Sequence, residues 1–123
     1  NLLTANDLKV MNNDSIVFAM ANPTPEIMPD EARKVATVVG TGRSDFPNQI
    51  NNSLAFPGVF RGTLDAKAFK INNEMKIAAA HAIASCVAPT KGNILPYTLD
   101  KQVVPKVAEA VRRAAIECGV LRK

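Results

Sequence analysis

A chain of 123 residues holds at most one domain with a modest core, and its 47% apolar content without low-complexity tracts describes a globular protein. No apolar run approaches the roughly 20 residues that span a bilayer, and no basic-then-apolar leader opens the chain, so neither membrane nor export route is expected. The formal charge of +4 comes from scattered basic residues, and no helix-turn-helix or RNA-recognition string accompanies them; no nucleic-acid partner is expected, only a solvated surface that attracts anionic metabolites.

The opening Asn1-Leu2-Leu3, without a methionine, suggests a piece of a longer polypeptide. Thr4 to Met11 reads as a short helix, with Thr4 as its cap and Leu8 and Met11 three apart. Asn12-Asn13-Asp14 breaks it. Ile16 to Met20 is a continuous apolar strand, as expected where a parallel sheet is covered on both faces. Pro29 suits a first helical turn and Asp30-Glu31 complement the helix dipole, which predicts a helix over Pro29–Ala36. Thr37-Val38-Val39 is the next strand, and the strand, helix, strand alternation is half of a parallel α/β arrangement.

Beyond Gly42 the pattern turns helical. A helix is expected over Asn52–Phe60, with Pro57 tolerated only in a first turn. Asn72 can cap a longer helix whose Met75, Ala79, Ala82, Ile83 and Cys86 repeat at three and four. Pro89 and Gly92 end it. A last helix begins near Pro105, lines up Val107, Ala108, Val111, Ala115 and Cys118, and meets Gly119 as its terminator. Cys86 and Cys118 lack metal or disulfide spacing, so both are expected as buried small hydrophobes in a reducing, cytoplasmic setting.

Two apolar runs stop at polar loops that bear asparagines. Ile16 to Ile27 (IVFAMANPTPEI) leads into Asn22-Pro23-Thr24-Pro25, where neither proline can continue a strand. Gly42 to Asn52 ends in Asn51-Asn52. Ligands of an open α/β sheet sit beyond the carboxyl ends of its strands, so these amides suggest a polar small-molecule site. Asn22 could equally close a turn before proline, and one of Asn51 and Asn52 is expected to cap the helix that follows. Arg43 and Arg61 are expected to pair with nearby acids such as Asp45 rather than clamp a ligand. Gly40-Thr41-Gly42 lacks the third glycine of a dinucleotide fingerprint and reads as a tight turn. His81, Tyr97, Glu26 and Asp45 have no catalytic or metal-binding context.

The strings IVFAMANPTPEI, TGRSDFPNQINNSLAFPGVFRGTLD and EMKIAAAHAIA, in that order, resemble the cofactor domain of bacterial malic enzymes over more than half of the chain. From Asn93 onward only the family's general layout is matched. The resemblance implies the C-terminal portion of a Rossmann-like parallel-sheet NAD(P)-binding domain, followed by packed helices. It implies an enzyme that oxidatively decarboxylates malate to pyruvate with reduction of NAD or NADP. Asn22 matches the asparagine at substrate and nicotinamide, and Asn51 and Asn52 line the malate site opposite it. The lysine base, the tyrosine acid and the acidic ligands of magnesium or manganese would lie in the remainder of the polypeptide. The isolated chain is therefore expected to be inactive, and the whole enzyme a cytoplasmic homo-oligomer. The rival readings are another dehydrogenase of the same cofactor fold and a non-catalytic helical association module, for which the alanine-rich helices after Asn72 speak.

Overall fold

Two short parallel strands organise the first half of the chain in the computed structural model, which describes residues 2–122. β1 (Ile16–Ala19) pairs with β2 (Val38–Thr41), Ile16 opposite Val38 and Ala19 opposite Thr41. Each strand differs slightly from expectation: β1 stops before Met20, and β2 starts one residue late and runs through Gly40 and Thr41. A glycine sits inside β2 because the returning chain lies against it. A Cβ there would meet the Ile50 Cδ1 at 2.9 Å and the Asn48 carbonyl oxygen at 3.0 Å.

Two helices of one turn flank the strands. α1 (Ala5–Leu8) is shorter than the predicted Thr4–Met11 span, with Thr4 in the N-cap position: the Asp7 carboxylate reaches back and accepts from both the backbone N–H and the hydroxyl of Thr4. α2 (Pro29–Ala32) begins at its proline as expected and gives way to turns before Ala36. Ala19, Val39, Ile27, Leu8, Ala32 and Ala36 form one buried cluster, with Val17 and Val35 packed against it.

The opposite face of β1 is open, contrary to the expectation of cover on both sides. Ile16, Phe18 and the following Met20 alternate onto it and are 56%, 50% and 62% exposed. A continuous apolar strand is thus buried on one side only by the described residues.

The remaining helices form a second packed group. Asn52–Leu54 makes a single 3-10 turn, and α3 (Phe56–Asp65) follows with Pro57 in its first turn, where its missing N–H costs nothing. The predicted helix over Asn52–Phe60 is therefore displaced toward the C-terminus. α4 (Asn73–Ala84) is capped by Asn72, whose Oδ1 accepts from the Met75 N–H at 3.0 Å. Met75 and Ala79 are buried, while Ala82, Ile83 and Cys86 are only half-buried.

α5 (Val103–Glu117) starts two residues earlier than Pro105 and buries Val107, Ala108, Val111 and Ala115 as the spacing predicts. Cys118 does not join that face. It is the exposed C-cap residue. Gly119, at φ +68°, reverses the chain, its N–H bonds the Ile116 carbonyl, and the Val120 N–H reaches the Ala115 carbonyl. These two bonds satisfy the terminal carbonyls and deliver buried Val120 to the core in place of the cysteine.

α3 ends by the same motif without a glycine. Lys67 takes the left-handed conformation at φ +53°, while its N–H bonds Leu64 and that of Ala68 bonds Thr63. α5 packs against both α3 and α4. Along α3 the approach is at backbone distance, because Gly58 and Gly62 face α5 with no side chain between. The single domain that length allows is divided into two units, Asn1–Ile50 with Pro89–Leu95 and Asn51–Ala88 with Pro96–Lys123. No helix among the described residues is long and apolar enough to cross a membrane.

Candidate functional site

The carboxyl end of β1 presents Asn22. Its side chain is exposed, and among the described residues no hydrogen bond engages the amide, so it does not close the turn that asparagine before proline often makes. The turn is held instead by Glu26, whose carboxylate accepts from the Ala21 N–H at 3.1 Å. That backbone bond, together with Glu26's own backbone N–H, holds the Glu26 carboxyl below its usual range. Glu26 is therefore a fastener of the loop that carries Asn22.

Beside it, the carboxyl end of β2 presents Gly42, and the Asn22 amide lies directly on it. An added Cβ at Gly42 would sit 3.1 Å from the Asn22 Oδ1 and 3.4 Å from its Nδ2. The reading of Gly40-Thr41-Gly42 as a tight turn is corrected here: neither glycine has a positive φ, and both serve close approach. Thr41 between them is buried, and its hydroxyl finds no partner among the described residues.

The loop after Gly42 folds back along β2. The Ile50 N–H bonds the Thr41 carbonyl at 2.8 Å, and the Gln49 amide reaches the Gly42 carbonyl at 3.4 Å. Its anchor is Asn48, buried and at φ +59°. The Asn48 Nδ2 donates to the carbonyls of Val39 and Lys91 at 3.0 and 2.9 Å, and its Oδ1 accepts from the Ile94 N–H at 3.0 Å. Every strong position on that amide is matched, as a buried polar group requires. Sequence reasoning missed Asn48. The signal available was Pro-Asn in a loop, since asparagine tolerates the left-handed region.

Arg43 behaves as expected. Its guanidinium grips Asp45 through two bonds, of 2.9 and 2.6 Å, and lies over the Phe46 ring. The pairing holds the Asp45 carboxyl below the usual carboxylate range. Arg61 likewise pairs with Asp65 one turn on. His81 is exposed on α4, as a surface residue.

In the second unit, the two adjacent asparagines part company. Asn51 is the N-cap of the 3-10 turn, its Oδ1 accepting from the Ser53 N–H at 2.9 Å. Asn52 is the first residue of that turn, exposed, with its amide outside the cap. Asn22 belongs to the first unit and Asn51-Asn52 open the second.

The family described as malic enzyme, NAD binding domain matches residues 4–116. The bifunctional malic/malolactic enzyme of Bacillus subtilis (strain 168) is 58% identical over 98% of this chain, which corresponds to 30% of that protein. The NAD-dependent malic enzyme of Geobacillus stearothermophilus is 54% identical over 99% of the chain and 26% of its own length. The crystal structure of malic enzyme from Pyrococcus horikoshii superposes with a TM-score of 0.95 at 51% identity, covering 99% of this chain and 29% of that one. The chain thus spans less than a third of each of these relatives. With sequence and fold agreeing from end to end of what is matched, the chain belongs to the malic enzyme NAD-binding domain family.

Proposed function

We propose that this chain is the C-terminal part of the NAD(P)-binding domain of an enzyme that converts malate to pyruvate and carbon dioxide with reduction of NAD or NADP. Beside the family membership, the observation that carries this is the Asn22 amide at the carboxyl end of β1, exposed and, among the described residues, without a hydrogen-bond partner. Ligands of α/β sheets bind there. The amide offers two donors and an acceptor, which suits the carboxamide of a nicotinamide and the hydroxyl and carboxylate of malate. When bound, the dinucleotide supplies the hydride acceptor.

The chain's own residues then orient rather than react. Asn22 holds ligand groups in line, with its loop fastened by Glu26. Asn52 is assigned the malate contact because its amide is outside the cap, and Asn51 is assigned chiefly to the cap. Bare Gly42 beneath Asn22 fits a ligand-facing edge. Among the described residues no three Asp, Glu, His or Cys side chains converge. Magnesium or manganese, the base and the acid are assigned to the remainder of the polypeptide. That remainder would also cover the open face of β1 at Ile16, Phe18 and Met20. On the family resemblance, the full enzyme is read as a cytoplasmic homo-oligomer.

The test is made in the full-length enzyme. Asn22→Ala and Asn52→Ala should each lower kcat/KM for malate by roughly one to two decades, the worth of a hydrogen bond to a charged group realised at the transition state. Melting temperature should barely move. Asn51→Ala should instead cost about 1 kcal/mol of stability as a lost cap. Unchanged kinetics with a lowered melting temperature in the Asn22 and Asn52 variants would reduce both residues to structural roles. The isolated 123-residue chain should form no NAD(P)H from malate.

A further inference from the structure

We propose that Gly42 is a positioning residue, a bare seat that fixes the height and tilt of the Asn22 amide. The three atoms nearest to a Cβ placed on Gly42 are the Oδ1, Nδ2 and Cγ of Asn22, at 3.1, 3.4 and 3.6 Å. A methyl group there therefore presses first on that one amide. The amide ends an exposed side chain and can swing away at little cost in stability.

The seat itself is held firmly. Gly42 follows β2 directly, and the chain after it is tied back through the Ile50 N–H to the Thr41 carbonyl and through the Gln49 amide to the Gly42 carbonyl. Asn48 anchors that return by its three buried bonds. A fixed seat and a free amide divide the labour: the backbone sets the position, and the side chain meets the ligand. Gly42 has no positive φ, so alanine is conformationally allowed and the substitution reads the contact alone.

The inference rests on the reading of Asn22 as a ligand contact. In the full-length enzyme, Gly42→Ala should lower kcat/KM for malate severalfold and Gly42→Val about tenfold or more, since misplacement of a positioning group by about 1 Å can cost two decades. The Gly42→Ala melting temperature should match the parent's, a split that a merely structural glycine would not give.

The decisive measurement is a double-mutant cycle. In the Asn22→Ala background, Gly42→Ala should have almost no further effect, because the group it displaces is gone. An equal loss in both backgrounds, or no loss when Asn22→Ala is itself impaired, overturns the proposal. A crystal structure of the Gly42→Ala enzyme separates the two layers. A displaced Asn22 amide with normal kinetics in Asn22→Ala keeps the seat and refutes the ligand reading, whereas an unmoved amide refutes the seat.

Discussion

Adding one methyl group at Gly62 should loosen the helical unit more than any surface change. Its Cβ would stand 2.3 Å from the Ala108 carbonyl oxygen and 2.8 Å from the Val111 Cβ, where ordinary contact begins at 3.4 Å. The shortfall to the oxygen is 3.4 − 2.3 = 1.1 Å, and the obstruction is backbone, which no rotamer change relieves. α3 and α5 must part or tilt, at the ~1–3 kcal/mol typical of overpacking. Alanine in place of glycine returns up to about 1 kcal/mol of helix propensity. The net loss is about 1–2 kcal/mol, or a fall of roughly 2–8 °C in melting temperature. Gly92→Ala is the control, because nothing lies within 4 Å of a Cβ there. Thermal unfolding of both full-length variants decides the matter. If Gly62→Ala melts no lower than Gly92→Ala, the helices are not in backbone contact through Gly62.

Two further outcomes follow from the loop and helix ends. Lys67→Gly should raise stability by about 0.5–1 kcal/mol in urea unfolding, since a left-handed non-glycine costs about 1–2 kcal/mol and glycine's extra chain entropy returns part of it; no gain would mean that the strain at φ +53° is relieved by its surroundings. Glu26 has its carboxyl held below the free value of 4.5, so its contribution is full above that pH and disappears as pH falls through the lowered value. Between about pH 6 and about pH 3 the parent should lose more stability than Glu26→Gln, and equal losses would show that the Ala21 bond does not favour the ionised form.

The parts of the fold legible in the sequence are those whose chemistry is local. Asn72 caps α4 because its side chain needs only the N–H three residues on, and Gly119 stops α5 because glycine alone takes its φ without cost. Ile16 onward reads as a strand because β-branched and aromatic residues favour one. What failed is non-local. The end of α3 carries no glycine, and only the packed structure holds Lys67 in the left-handed region. Cys118 has the right spacing for the buried face of α5, yet the helix reverses at the next residue and Val120 takes the place.

The same contrast runs through the candidate site. Strand ends and prolines locate Asn22, and the family resemblance gives Asn51 and Asn52 a ligand-facing meaning. Two adjacent asparagines are chemically identical in sequence, however, and a cap needs only one; the Ser53 N–H makes the choice by bonding Asn51. Glycine is ambiguous in another way. One letter serves positive φ at Gly119 and close approach at Gly40, Gly42, Gly58 and Gly62, and only the neighbours' positions separate the two uses. With Arg43 and Arg61 each bonded to an aspartate of its own neighbourhood, the asparagine side chains that face outward at these loops, Asn22 and Asn52, are neutral amides. Neutral amides select geometry rather than attract charge, so under the proposed function this chain aligns the ligands and the remaining polypeptide supplies the ionised chemistry.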